Sequence, residues 1–361
     1  MEILGRFTVK KNILLALLVF MSFVFICISG CSDSDNNDYY GPGPNPHPIG
    51  AASYIAVADE ANNRIILIDR TTERISTVVT SKTTTAEPLY LTFSEFTQGF
   101  YISNPNILSI TALSVSSSSW KSGEFAWSLS GCNVPLSLAA TPEGKLFAVL
   151  TNSDDSKFIL VNSQLNASSG ASASIPSELP VGGEPNDVIM GRTNIYVSGC
   201  GSDANSVAII NPISGAIYHT IPNVGDYGLG LDIAIGNVFV VDSKNKNLNK
   251  ISLEGTVTAT APLLTMVDPL KPAVMGSRVY VTDAAAAKIH VFDAQSLAPV
   301  TVIDNVSPSL DIKVTPENDA LYISNTNGTL STISILQSEV IHNITLPSGS
   351  EPNGIAIMAR K

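Results

Sequence analysis

An aromatic residue opening a β-rich run that ends in a polar turn recurs seven times along this chain. Tyr54, Tyr101, Phe147, Tyr196, Phe239, Tyr280 and Tyr322 lead the copies, at intervals of 47, 46, 49, 43, 41 and 42 residues. A period in this range is the mark of a repeat architecture, in which one supersecondary unit buries its apolar face only against its neighbours. Each marker has companions at steady offsets. Upstream lies a proline followed by an apolar stretch, as in Pro88-Leu89-Tyr90-Leu91, Pro135-Leu136-Ser137-Leu138, Pro185-Asn186-Asp187-Val188 and Pro308-Ser309-Leu310-Asp311. Downstream come two further alternating strands, such as Ile65-Ile66-Leu67-Ile68 followed by Ile75-Ser76-Thr77-Val78. Short strands spaced by turn residues describe an all-β array.

Four strands in about 44 residues make one blade of a β-propeller, and residues 51–361 accommodate seven such units. The two ends complement each other. The first copy starts at its aromatic strand and lacks the Pro-apolar strand, whereas Glu351-Pro352-Asn353-Gly354-Ile355 supplies that strand with nothing after it. The expected fold is therefore an all-β, seven-bladed β-propeller of four-stranded blades, its ring closed by the C-terminal strand pairing into the N-terminal blade. Composition agrees. Only 14% of residues are charged, the chain carries a net charge of −11, and its pI near 4.8 argues against a nucleic-acid surface.

The Tyr-Val-Thr-Asp at 280–283, with Tyr-Ile-Ser-Asn at 101–104 and 322–325, resembles the YVTN repeat of surface-layer-type β-propellers. The turns Gly183-Glu184-Pro185-Asn186 and Ser350-Glu351-Pro352-Asn353 are similar to that family's turn before the innermost strand. The resemblance covers the whole repeat region in degenerate form; the fifth copy reads Phe239-Val240-Val241-Asp242. It implies a fold and an extracytoplasmic setting, and it implies no reaction, because one fold hosts many functions.

The first 30 residues read as an export signal. Arg6, Lys10 and Lys11 precede an apolar run from 13 to 28, too short for the roughly 20 residues that span a bilayer. The run ends in Ile28-Ser29-Gly30-Cys31, which resembles the bacterial lipobox, so Cys31 is the expected lipidation site. Removing residues 1–30 leaves a mature net charge of −13. Ser32 after the lipid site implies the outer membrane in a Gram-negative cell. Residues 31–50, rich in Asp, Asn, Pro and Gly, form an extended tether, and 51–361 form the propeller.

Chemistry is less legible. No HExxH, GxSxG, GxGxxG, Walker A or CxxCH string occurs. His219, His290 and His342 fall on peripheral strands, and His47 lies in the tether. The most suggestive set is acidic. Glu87, Glu184 and Glu351 each stand immediately before the proline of an innermost strand, and Asp226 and Asp268 occupy the related turns. These turns meet at one mouth of the axial channel, together with Asp59, Asn152, Asp154, Asp203, Asp242, Asp283 and Asn325 after the aromatic strands. Converging oxygens could hold Ca²⁺ or draw a cationic ligand; the plainer account is that such residues suit the turn geometry. Cys132 and Cys200 fall on neighbouring blades and form a possible disulfide in an oxidising compartment. Trp120, Lys121, Phe125 and Trp127 stand in what reads as a long connection between the second and third blades. The expected function is a membrane-tethered binding or scaffold module for an envelope protein, glycan or ion. A lactonase-like hydrolase or lyase and a structural surface-layer component are the alternatives.

Overall fold

The computed structural model describes residues 53–80, 86–115, 120–128, 134–151, 157–161, 177–181, 183–200, 205–224, 228–304, 306–334 and 338–359. The export signal, Cys31, the tether, Cys132, Asn152, Asp154, Asp203 and Asp226 lie outside them. The chain is an all-β propeller. Its described strands form seven four-stranded antiparallel sheets, and in six of them the four strands follow one another in sequence. In the remaining sheet, Pro352–Ile357 pairs with Tyr54–Asp59, followed by Arg64–Asp69 and Arg74–Thr80. There the register sets Ile55 opposite Ile357 and Val57 opposite Ile355. The C-terminal strand thus occupies the inner position that the first repeat cannot fill from its own sequence.

Seven apolar clusters lie between successive sheets. One joins the last sheet to the first through Tyr322, Leu330 and Ile344 against Ile55, Val57, Ile66 and Ile355. The next joins the first to the second through Ala58, Leu67, Phe100 and Ile102. Both faces of every sheet are therefore covered. This explains why the second strands are buried along their whole length, as in Ile195–Cys200, and why they carry apolar runs such as Val238-Phe239-Val240-Val241. Outermost strands differ. Arg74–Thr80, Ile217–Ile221 and Pro299–Ile303 are exposed along most of their length.

The innermost strands are edges, with no further strand beside them on the axial side. Proline, which has no N–H to leave unpaired, is tolerated in such a strand. It stands at Pro135, Pro269, Pro272 and Pro352 within inner strands, and at Pro88 and Pro185 just before them. Register shifts in these strands at 135–138, 228–230, 269–272 and 309–311 mark β-bulges that turn residues out of the ladder. One expectation is corrected here. Trp120–Ser128 is a strand of nine residues paired to Ser109–Val115, so it forms the outer edge of the second sheet and is not a connection.

Candidate functional site

The turns carrying the acidic residues come first, because the structure gives them a specific job. Asp283 ends the strand Arg278–Asp283 fully buried, and its carboxylate accepts N–H bonds from Val267 at 2.8 Å and Asp268 at 2.8 Å. Asp59 does the same in the first sheet. It accepts from Glu351 N at 3.0 Å, Ser350 Oγ at 2.9 Å, Asn62 Nδ2 at 3.0 Å and Arg64 Nε at 2.6 Å. Burial works against the Asp59 carboxylate, but Asn62, Glu351, Arg64 and Ser350 together hold it below its ordinary range. Asp242 receives both the backbone and side-chain N–H groups of Asn245. Asp283 and Asp59 therefore fasten the turn into the innermost strand, whereas Asp242 fastens the turn that follows its own strand.

The acidic residues on those turns point elsewhere. Glu184, Asp268 and Glu351 are exposed. Glu87 is half-buried, with left-handed backbone (φ 48°), and its N–H is received by Asn63 Oδ1 at 2.7 Å. Among the described residues, no three His, Cys, Asp or Glu side chains stand together as metal ligands would. Cys200 is a free, buried thiol that approaches Val197 O at 3.3 Å. Burial pushes it up to about 12.

The polar groups that do converge lie at the bulges of the innermost strands. Two residues beyond Pro88, Pro135, Pro185, Gly228, Pro269, Ser309 and Pro352 stand Tyr90, Ser137, Asp187, Gly230, Lys271, Asp311 and Gly354. Lys271 Nζ lies 3.2 Å from Asp311 Oδ1 and 4.4 Å from the centre of the Tyr90 ring, so one ammonium ties the sixth sheet to both the seventh and the second. Asp311 Oδ2 accepts Ile355 N at 2.8 Å, in the next sheet. Asp187 Oδ1 accepts Ser137 Oγ at 2.5 Å from the sheet before, and its Oδ2 accepts Leu231 N at 2.9 Å from the sheet after. Asp232 repeats the device, receiving Val274 N at 2.5 Å.

The two glycines in this ring mark where backbones come too close for a side chain. A Cβ on Gly354 would lie 2.5 Å from Leu89 O, and one on Gly230 would lie 2.8 Å from the Lys271 Cα. Each therefore permits the approach of the next sheet.

Burial alone would strip Lys271 of its proton, but Asp311, Tyr90 and Asp187 outweigh it and hold the ammonium charged. Burial would raise Asp311, and Lys271 with Lys313 and the Ile355 N–H bring it below its ordinary range. Lys271 pulls the Tyr90 phenol down, while burial and the charges of Asp187, Asp311 and Glu60 carry it upward overall. The cluster is thus a zwitterionic assembly with its charges fixed. Sequence reasoning passed over these residues because each sits inside a string that reads as an apolar strand. Setting the seven Pro-apolar strings in register would have exposed the polar column.

No protein-family model and no curated protein sequence matches the chain. Solved structures do resemble it. A functionally unknown protein from Desulfotomaculum acetoxidans DSM 771 superposes with a TM-score of 0.68 at 15% identity, covering 85% of this chain and 99% of the other. Streptogramin B lyase gives 0.60 at 15% identity, over 79% of this chain and 92% of that one. The dihydro-heme d1 dehydrogenase NirN gives 0.59 at 13%, over 86% and 67% respectively. At such identities the likeness is one of fold: this chain is similar to propeller proteins of differing activities.

Proposed function

We propose that this protein is an envelope lipoprotein, anchored through Cys31, whose seven sheets act as the blades of a closed ring of the YVTN surface-layer-like kind. In this reading it works as a recognition module, with residues 31–50 as the tether and the axial mouth as the recognition surface. The observation that carries it is the Lys271–Asp311–Tyr90–Asp187 cluster. Its groups come from the second, fourth, sixth and seventh sheets, and its carboxylates are committed to N–H and O–H donors of adjacent sheets. A general base or nucleophile needs a group free to exchange a proton near neutral pH. Here the ammonium is held protonated and the Asp311 carboxylate ionised, which suits orientation and hydrogen bonding.

The partner classes are an envelope protein or a glycan. The test is crosslinked capture from intact envelopes with the lipidated protein. Recovery of one partner in stoichiometric amount, lost when Cys31→Ser releases the protein from the membrane, supports the module. Failure to recover any partner, together with turnover of lactone substrates by the purified protein, would replace this reading with the hydrolase one.

A further inference from the structure

The chain enters the propeller on the face opposite the acidic mouth turns. Strand direction alternates within each sheet, so the turns from first to second strand and from third to fourth share one face. Tyr54 opens a second strand and Ile357 closes an inner one, and both stand on that entry face. The chain is tied down there. Ser53 Oγ donates to Met358 O at 2.6 Å, and Arg70 Nη1 donates to Met358 O at 3.1 Å and to Ser53 Oγ at 3.2 Å. Neighbouring sheets keep the same sense: Lys145 Nζ, beside a first-to-second turn, donates at 3.1 Å to Pro212 O in a third-to-fourth turn of the next sheet.

Turns on this face hold large apolar side chains out to solvent. Phe96 is 60%, Ile213 82% and Ile235 46% exposed. Each is placed by its turn. The Phe96 ring lies over Gly144 of the next sheet, where an added Cβ would stand 2.4 Å from its Cδ1. Asn211 Oδ1 accepts Ile213 N at 2.8 Å and Ser214 N at 3.0 Å, closing a turn with Ile213 near its tip. Ile235 is the sharpest case. It is the first residue of a two-residue turn between Ala234 and Asn237, and its backbone is left-handed (φ 53°). Gly or Asn suits that place, and the equivalent turn of the sixth sheet has Gly276 (φ 57°). A β-branched residue there is strained. Ile235 is thus strained and exposed at once, and no contact within the fold accounts for it.

The chain ahead of this face supplies the partner. With Cys31 as the lipid anchor, residues 32–52 separate the lipid from Ser53, and these 21 residues reach at most about 75 Å. A bilayer tethered so closely meets the entry face at high effective concentration. We propose that this face rests on the lipid surface, with Phe96, Ile213 and Ile235 entering the headgroup boundary and the mouth turned away from the membrane toward its partner. Exposed charges on the entry face are of both signs, Arg192 with Glu143, Glu254 and Asp319, so the contact is apolar and requires no anionic lipid. The inference rests on the anchored-module reading and gives that module an orientation.

The test uses the full lipidated protein in phosphatidylcholine vesicles with and without brominated acyl chains. Phe96→Trp and Ile213→Trp report on the entry face, and Leu264→Trp, at a position 77% exposed on a mouth turn, reports on the other. The parent protein supplies the background of Trp120 and Trp127. The added emission of Phe96→Trp and Ile213→Trp is expected to shift to the blue and to be quenched by brominated lipid, equally at low and high salt. That of Leu264→Trp is expected to stay unquenched. Ile235→Asn relieves the left-handed strain, so it is expected to leave the melting temperature level or higher while reducing the quenching of Ile213→Trp. No quenching at positions 96 and 213, equal quenching at 264, or quenching indifferent to Ile235→Asn would overturn the proposal. Mass spectrometry of the Cys31 peptide separates the two readings. A lipidated Cys31 with an unquenched entry face rejects only this orientation, whereas an unmodified Cys31 in the membrane fraction rejects the anchor and the orientation with it.

Discussion

Lys271 and Asp311 form a buried ion pair at 3.2 Å between the inner strands of adjacent sheets, with the lysine side chain 8% and the aspartate 1% exposed. Such a pair adds little net stability relative to well-packed apolar residues, because desolvation of both charges offsets their attraction. Removing one partner is another matter, since the other is left buried and uncompensated. Lys271→Met is therefore expected to destabilise the fold by about 3–5 kcal/mol, and the Lys271→Met, Asp311→Asn double variant to recover most of the loss. Urea denaturation of the two variants gives the comparison. Equal loss in both would show that packing, not charge, is what Lys271 supplies.

The pair also fixes a pH dependence. Asp311 titrates below its ordinary value of 3.8 in the folded protein. A carboxylate depressed on folding contributes stability that is complete above its unfolded value and lost as pH falls through the folded one. Asp59 has the same sign. Melting temperature is expected to hold steady down to about pH 5 and fall below about pH 4. The acid slope should be shallower in Asp311→Asn, and an unchanged slope would remove Asp311 from the account.

Asp283 receives two N–H groups from the turn that carries Asp268, and Asp59 receives the N–H of Glu351. Their oxygens are occupied, so Ca²⁺ is expected to raise the melting temperature no more than Mg²⁺ does at equal ionic strength. Asp283→Ala is expected to cost about 1.5–3 kcal/mol, the net contribution of hydrogen bonds to a charged group. A calcium-specific rise abolished by Asp283→Ala would instead make this turn an ion site.

Ile355 is fully buried, and Pro352–Ile357 supplies the inner strand of the first sheet. Deleting residues 351–361 is expected to expose the Tyr54–Asp59 edge and lower the melting temperature by about 5 °C or more, as about 3 kcal/mol would in a protein of this size. A synthetic peptide of residues 350–361 added in trans should restore part of the loss. Gly354→Ala tests the same junction more gently through the Leu89 carbonyl 2.5 Å from the new Cβ.

Cys200 lies buried with its thiol pushed up to about 12. The thiolate is the reactive form. Maleimide at pH 7.5 is expected to leave Cys200 unlabelled in the native protein and to label it on denaturation without reductant, as read by peptide mass spectrometry. A requirement for reductant would identify a bridge to Cys132 in the isolated protein.

The period of the aromatic markers determined the architecture by itself. A run such as Tyr280-Val281-Thr282-Asp283 recurring every 41 to 49 residues can bury its apolar faces only against copies of itself, and the complementary ends announced the pairing of Ile355 with Val57. The strand-end aspartates were legible as turn residues for the same local reason. What the tertiary structure alone decided was which polar side chains meet. Tyr90 and Lys271 are 181 positions apart in the chain, and Lys271 and Asp311 are 40 apart. Each stands in a string that reads as an ordinary strand, and no local pattern distinguishes it. Their meeting depends on bulges that turn one residue per inner strand toward a common axis, and on sheets close enough there to demand glycine at 230 and 354. Periodicity specifies how often a unit returns; only the packing of units around the axis specifies which residues face one another.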